Sequence, residues 1–414
     1  MTGELKLLQI AHDHPDWTPG GTEYLAHDLA TVLDARPGIR ARFLACATDL
    51  QRPDEAPGTL GSQGADFTLR TGAYDRFMMS RLDGAEWIGA FGRVLRATRP
   101  DIVHLHGLDR IGAEILPVLR RLAPRARIVL TVHDYQLICA NDGLMLRTGD
   151  AMPCRAATPD ACARCFPDIP AARHALRRVR LLTLLGLVDA IIAPSRFLAD
   201  RLSGWGVPAE RITVVPNAVG PGDNPPPAAP RPRPNRFAFF GNVARHKGAL
   251  VLLDAAARLR GRDLRVTLRG GLGRAEAAFR ADFDAGLAAA RPVAQHLGPY
   301  DRAEVARLMA QTDWIVVPSV WWENAPLVIL EARRAGRPVI ASDIGGMREM
   351  VADGTDGILF PMGDAAALAE VMAGAAGDPA LWARLAGAAR PSDHDAFLDS
   401  HLRLYAQLSQ KVAA

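Results

Sequence analysis

A run of prolines from Val219 to Asn235 cuts this chain into two series of alternating strand-like and helix-like segments. Proline at that density fixes φ and removes backbone donors. Neither a helix nor a central strand can pass through it, so the stretch reads as a semi-rigid linker. Before it, apolar runs of strand length occur at Leu5–Ile10, Ala41–Ala45, Ile102–His106, Ile128–Val132, Ala190–Ala193 and Ile212–Val215, with helical patterns such as Glu23–Leu33 and Ala113–Leu122 among them. After it the alternation restarts, with strands at Phe237–Phe240, Arg265–Leu268, Val293–His296, Asp313–Pro318, Pro338–Ser342 and Gly357–Phe360, and helices at Ala249–Leu259 and Ala303–Gln311. Such alternation predicts parallel sheets covered on both faces. The expected architecture is α/β, with two Rossmann-like domains at 1–218 and 236–390 facing a central cleft and joined by 219–235. A terminal helix within 391–414 is expected to return to the first domain.

The 414 residues suffice for two cores. A chain 49% hydrophobic and 23% charged has an ordinary soluble composition. No apolar run approaches the roughly 20 residues that span a bilayer. The first residues lack a basic stretch, a long apolar core and a small-residue cleavage site, so no signal peptide is evident and a cytoplasmic location is expected. A net charge of +4 favours anionic partners only weakly and does not imply nucleic acid.

Of the five cysteines, Cys46 reads as a small buried apolar residue. Cys139, Cys154, Cys162 and Cys165 cluster in an insertion at about 139–170, and the last two form C-x-x-C. In a reducing compartment such clustering points to metal more than to disulfides. Their spacing is not that of a standard zinc ribbon. A structural zinc and plain buried thiols both remain open.

The chemistry gathers at loops that follow strands. W-E-N-A-P-L-V-I-L-E, Trp322 to Glu331, places Glu323 and Glu331 eight residues apart around a helix start. Asn324 reads as the N-cap, with Pro326 in the first turn. First-turn N–H groups lack intrahelical partners and carry the positive end of the dipole, which makes a seat for phosphate. Glu331, deeper in the helix, suits sugar or ribose hydroxyls. Two surface glutamates on an amphipathic helix are the plain alternative.

Gly241-Asn242-Val243-Ala244-Arg245-His246-Lys247-Gly248 also follows a strand, and its two cations beside glycine suit a diphosphate. Gly270-Gly271 leaves room for a flat base or a phosphate. Gly20-Gly21-Thr22-Glu23 opens the first helix, where the glycines allow close backbone approach and Thr22 is a candidate cap. His133-Asp134 ends a strand and outranks His104 and His106 as a site candidate. The place of a dinucleotide fingerprint holds T-P-G-G-T-E, and no G-x(4)-G-K-[ST] string occurs. Ala171–Leu187 is both basic and apolar. It reads as a surface for an anionic membrane or as a helix with an arginine-rich outer face.

Together these strings resemble the retaining nucleotide-sugar glycosyltransferases of family 4, which have the GT-B fold. The likeness covers nearly the whole chain: G-G-T-E, D-I-V-H-L-H, T-V-H-D, I-I-A-P-S-R-F at Ile191–Phe197, V-V-P-N at Val214–Asn217, G-N-x(4)-K-G, E-x(7)-E and A-S-D-I-G-G at Ala341–Gly346. It implies transfer of a hexose from a nucleotide-diphosphate sugar to a glycan or lipid-linked acceptor, in cell-envelope or exopolysaccharide synthesis. A catalytically inactive binding protein on the same fold is the alternative. By this resemblance Glu331 holds the ribose and Glu323 contacts the transferred sugar. Lys247 and the backbone of Asn324, Ala325, Pro326, Leu327 and Val328 carry the diphosphate. His133 lies near the donor sugar, and Gly20, Gly21 and Gly271 approach the ligand. No cofactor is required for catalysis, and no D-x-D string stands in a metal-holding context. One departure is Asn242, where the family often has arginine, with Arg245 as the replacement charge. The cysteine insertion looks similar to one in a bacterial subset of the family.

Overall fold

Apolar runs without polar alternation become strands buried on both faces. The computed structural model describes residues 4–18, 20–81, 84, 86–220, 232–273 and 275–410. Within these the chain divides into two compact units, residues 1–216 with 395–414 and residues 217–394. Residues 221–231, the bulk of the proline-rich stretch, lie outside the described residues.

In unit 1 the elements are β1 (Leu5–Ala11), α1 (Gly21–Asp34), β2 (Ile39–Ala47), β3 (Leu60–Gln63), β4 (Asp66–Arg70), β5 (Tyr74–Asp75), β6 (Ser80–Arg81), α2 (Glu86–Thr98), β7 (Ile102–His106), α3 (Ile115–Leu122), β8 (Arg127–Thr131), α4 (Pro159–Cys165), α5 (Ala171–Leu185), β9 (Ala190–Ala193), α6 (Arg196–Trp205) and β10 (Ile212–Val214). The main sheet runs β10-β9-β8-β7-β1-β2-β4-β3, parallel throughout except for β3, which pairs antiparallel with β4. That edge hairpin was not legible in the sequence, because Leu60–Gln63 carries one apolar residue and takes its strand form from pairing with Asp66–Leu69. The carboxyl ends of β1, β7 and β8 lie side by side, with Ala11 opposite His106 and His106 opposite Thr131.

Unit 2 contains β11 (Arg236–Phe240), α7 (Ala249–Arg258), β12 (Arg265–Arg269), α8 (Ala277–Ala289), β13 (Ala294–His296), α9 (Val305–Ala310), β14 (Trp314–Val317), α10 (Leu327–Arg334), β15 (Val339–Ser342), α11 (Gly345–Met350), β16 (Gly357–Phe360), α12 (Ala365–Ala376) and α13 (Pro379–Ala388). Its sheet, β13-β12-β11-β14-β15-β16, is parallel in every pair. Alternate residues of one strand feed two cores. Phe237, Phe239, Trp314 and Val316 pack on one face, and Ala238, Phe240, Ile315 and Val317 on the other. Both buried indoles are satisfied, since Trp314 donates to Pro234 O and Trp382 to Asp313 O, each at 2.8 Å.

The last helix, α14 (His394–Gln410), belongs almost wholly to unit 1. Tyr405 drives it there. Its ring is fully buried, and its hydroxyl meets His104 Nδ1 at 2.7 Å and Gln9 Nε2 at 3.3 Å. Arg127 donates to the Leu408 carbonyl at 3.2 Å, which satisfies one of the carbonyls that a helix end leaves open.

Candidate functional site

In unit 2 the loop after β11 and the loop after β14 meet at one ion pair. Lys247 Nζ lies 2.7 Å from Glu323 Oε1 and sits 4.9 Å from the centre of the Trp321 ring. Ser319 Oγ donates to the same carboxylate oxygen at 2.8 Å. Burial opposes the charge on Glu323, but the Lys247 ammonium and these hydrogen bonds overcome it and hold the carboxyl below its usual range. Burial, with Lys247 beside it, pushes neighbouring His246 down to about 4.

The close approach depends on glycine. Gly248 is left-handed at φ 73°, and a Cβ there would stand 1.8 Å from Pro318 O. The 323–324 turn is clamped from the other side, where Gly346 N donates to Glu323 O at 2.7 Å.

Asn324 does not cap the helix. The cap is Pro326, in extended conformation and without a side-chain bond, and α10 starts at Leu327. The reason is local: proline pushes the residue before it away from αR, so Ala325 cannot be helical and Asn324 is left outside. Glu331 lies half-buried in α10, and its carbonyl accepts from Ala335 N at 3.0 Å. Burial raises its pKa, partly offset by Arg302 and Arg334. Asn242 is exposed, between Gly241 and Val243, whose N–H donates to Gly271 O at 2.9 Å. Arg245 turns away from Glu323: it pairs with Asp282 at 2.6 Å and covers the Phe279 ring at 5.5 Å.

Unit 1 has its own cavity, at the carboxyl ends of β1, β7 and β8, lined among others by His12, Thr22, His106, His133, Asp134 and Gln136. Thr22 lines it from inside α1 and is not the cap. Gly20 caps α1 in extended conformation, and Gly21 is helical. Neither glycine uses a positive φ. A Cβ on Gly20 would lie 2.3 Å from the Glu23 carboxylate and would have to displace that side chain. His133 Nε2 lies 3.0 Å from His106 Nδ1 with the rings stacked, and His106 Nε2 meets Gln9 Oε1 at 2.9 Å. Burial holds His133 down at about 3, so it is neutral at physiological pH. Burial also pushes Asp134 up to about 6.

Sequence reasoning missed His12. Its Nε2 lies 2.7 Å from Glu23 Oε1. Burial alone would lower its pKa, but the Glu23 hydrogen bond and charge raise it to about 9. The signal was present: His12 follows the first strand directly, as His133 follows another.

A pH dependence follows. The folded pKa of His12 is raised above the unfolded 6.5, so the stability it contributes is complete below about 6.5 and fades as pH rises through about 9. His133, lowered to about 3, acts in the opposite sense and favours unfolding as pH falls below 6.5. Chemical denaturation of the wild type should show declining stability from pH 6.5 to 9, and His12→Gln should flatten that limb. Parallel losses in the two proteins would remove the charge from His12.

The four clustered cysteines are neighbours. Burial pushes the Cys162 thiol up to about 11, and Cys139, Cys154 and Cys165 each push it further in the same direction. Among the described residues no three of their sulfurs form a compact ligand set.

Most arginines of α5 do not form the outer face that one reading of the sequence gave it; Arg173 alone among them is exposed. Arg177 donates to the carbonyls of Phe77, Leu137 and Gln136, Arg178 to Trp205 O, and Arg180 to Met78 O and Glu114. These carbonyls need donors, and the guanidinium fork supplies them. Leu176 and Val179 point outward instead, 58% and 61% exposed. No helix among the described residues is long and apolar enough to cross a membrane.

Two family models match the chain, one described as Glycosyltransferase Family 4 over residues 19–222 and one as Glycosyl transferases group 1 over residues 234–378. The chain belongs to glycosyltransferase family 4. A D-inositol 3-phosphate glycosyltransferase of Arthrobacter sp. (strain FB24) is 32% identical over 238 residues, which cover 49% of this chain and 55% of that protein. The chain spans about half the length of the curated relatives it matches. Sucrose-phosphate synthase from Thermosynechococcus elongatus superposes with a TM-score of 0.70 at 19% identity, over 97% of this chain and 99% of that one. Anabaena HepE, solved in complex with UDP and glucose, superposes with a TM-score of 0.64 at 19% identity, over 99% and 98%. The shared fold is GT-B, with two Rossmann-like parallel-sheet units. In this family 4 chain Lys247, Glu323 and α10 come together in unit 2. His133 shares the unit 1 cavity with His12.

Proposed function

We propose that this chain is a retaining glycosyltransferase that moves a hexose from a nucleotide-diphosphate sugar to a glycan or lipid-linked acceptor in cell-envelope or exopolysaccharide synthesis. One observation carries the reading: Lys247 pairs with Glu323 in the loop that leads into α10, with the half-buried Glu331 one turn further along the same helix. Breaking the bond between the anomeric carbon and the diphosphate leaves negative charge on the leaving group. Lys247 and the α10 N–H groups meet that charge with donors already in place, so the reading requires no divalent cation. Glu323 accepts from hydroxyls of the transferred sugar, and Glu331 from the ribose diol. The acceptor oxygen attacks from the face the diphosphate leaves, the new C–O bond forms as the old one breaks, and the acceptor proton passes to the leaving phosphate. The acceptor is assigned to the unit 1 cavity, where neutral His133 donates one hydrogen bond and His12 offers a positive charge.

HepE and Arabidopsis starch synthase IV, solved with UDP and with ADP, support a nucleotide-sugar donor. A thermal-shift panel of UDP-, GDP-, ADP- and TDP-sugars tests this. A true donor at 100 times its dissociation constant stabilises by about 2.7 kcal/mol. No shift with any of them would overturn the reading, and a shift without turnover would leave a binding protein.

Glu331 offers a second test. Its surroundings disfavour the charge and raise its pKa, and hydroxyls of a bound ribose would donate to it. Glu331→Gln is expected to raise the KM for the donor and to leave the stability of the free protein close to wild type. An unchanged KM would remove Glu331 from the donor site.

A further inference from the structure

Three unit 1 side chains outside the cavity converge on one point. His14, in the loop after β1, His27 on α1 and Asp66 at the start of β4 place ligand atoms within 4.8 Å of one another. Among the described residues they are the one His/Cys/Asp/Glu set of three or more that does so. Asp66 Oδ2 lies 3.2 Å from His14 Nε2 and 2.9 Å from His27 Nε2. With a proton on each nitrogen these are hydrogen bonds. With a cation in place of the protons they are a ligand set, since donors about 2.0–2.1 Å from a tetrahedral zinc stand about 3.3 Å apart.

The surroundings are those of a prepared site. Phe43 lies edge-on to both imidazoles, at 5.9 Å from His14 and 5.1 Å from His27, and fixes their planes. His14 is buried, and its other nitrogen, Nδ1, lies 3.5 Å from Asp16 Oδ2, itself held by Gln63 Nε2 at 3.0 Å. In the apo state Nδ1 accepts from the Asp16 N–H at 3.2 Å. A metal on Nε2 moves the ring proton to Nδ1, and the Asp16 carboxylate is placed to accept it. A carboxylate behind a metal-bound histidine is the usual outer partner. The His27 and Asp66 side chains are 29% and 21% exposed, which leaves an entry path and a fourth position for water.

We propose that His14, His27 and Asp66 bind one divalent zinc-class cation. Two imidazoles and one carboxylate suit zinc, and at lower affinity its first-row neighbours. Binding ties β4 and α1 to the loop 12–18. That loop carries His12 into the cavity, and Thr18 is anchored in it by a 2.7 Å bond to Asp13. The cation therefore stiffens the approach to Gly20 and Gly21.

The full chain, stripped with chelator and kept reduced, is titrated with cobalt(II) and then with zinc against a chromophoric competitor. Cobalt on nitrogen and oxygen gives weak visible bands, and cobalt on thiolates adds intense near-ultraviolet charge transfer, which separates this site from the cysteines. The wild type is expected to take one equivalent with the thiolate-free spectrum, unchanged in Cys162→Ser. His27→Ala should weaken it by at least about 100-fold, and Asp16→Asn by about 10–100-fold. Far-UV circular dichroism checks that the variants fold, and His27→Gln replaces His27→Ala if the latter does not. Equal affinity in wild type and His27 variants, a spectrum of sulfur type alone, or no uptake would each overturn the proposal.

Discussion

Lys247→Ala is expected to lower turnover by about 10²–10³-fold, the usual effect of removing one preorganised donor from a developing negative charge. The structure adds a consequence for folding. Lys247 is also the counter-ion of Glu323, which is 4% exposed and otherwise answered by Ser319. Without Lys247 burial dominates and the folded pKa of Glu323 rises. The wild-type carboxyl is depressed, so its contribution is present above about 4.5 and lost as pH falls through the folded value. The stability deficit of Lys247→Ala should thus be greatest at neutral pH and narrow toward pH 4.5. Glu323→Gln separates the two effects, because an amide still accepts from Ser319 and leaves no buried charge. It should fold as the wild type and lose turnover on the same scale. Full activity in Glu323→Gln, with denaturation curves matching wild type, would remove Glu323 from the chemistry.

Gly346→Ala should be among the most disruptive single-methyl changes in unit 2. The added carbon would stand 1.5 Å from Asn324 O and 2.6 Å from Asn324 C, both backbone atoms that no rotamer change can move. The start of α11 must lift from the 323–324 turn and break the 2.7 Å bond from Gly346 N to Glu323 O. A cost of about 3 kcal/mol is expected, as for severe overpacking. In a unit of this size that lowers Tm by about 6–12 °C. Activity should fall further than stability, since a displacement of about 1 Å at a site can cost about 10²-fold. Gly387→Ala in α13 is the control. Its Cβ meets nothing within 4 Å, and a helical glycine exchanged for alanine should be neutral or slightly stabilising. Equal melting temperatures for the two variants would show that α11 is not seated as described.

Short-range patterning determined most of the fold. Ile102–His106, Ala190–Ala193 and Gly357–Phe360 could be read to the residue, and Ala190–Ala193, buried throughout, shows why: a strand covered on both faces leaves an unbroken apolar run. Lys247, Glu323 and Glu331 could be picked out as candidates because they stand in or just beyond loops that follow strands, Lys247 beside Gly248. What the sequence could not carry were pairings between distant residues. It did not show that Arg245 turns to Asp282, that Arg177, Arg178 and Arg180 of α5 donate to backbone carbonyls, or that His12 meets Glu23. Nor did it bring His14, His27 and Asp66 to one point. Local propensity reports only what a residue does with its near neighbours in the chain. Which distant carbonyl, carboxylate or imidazole answers a buried polar group is decided when packing removes water and leaves each such group one partner to find.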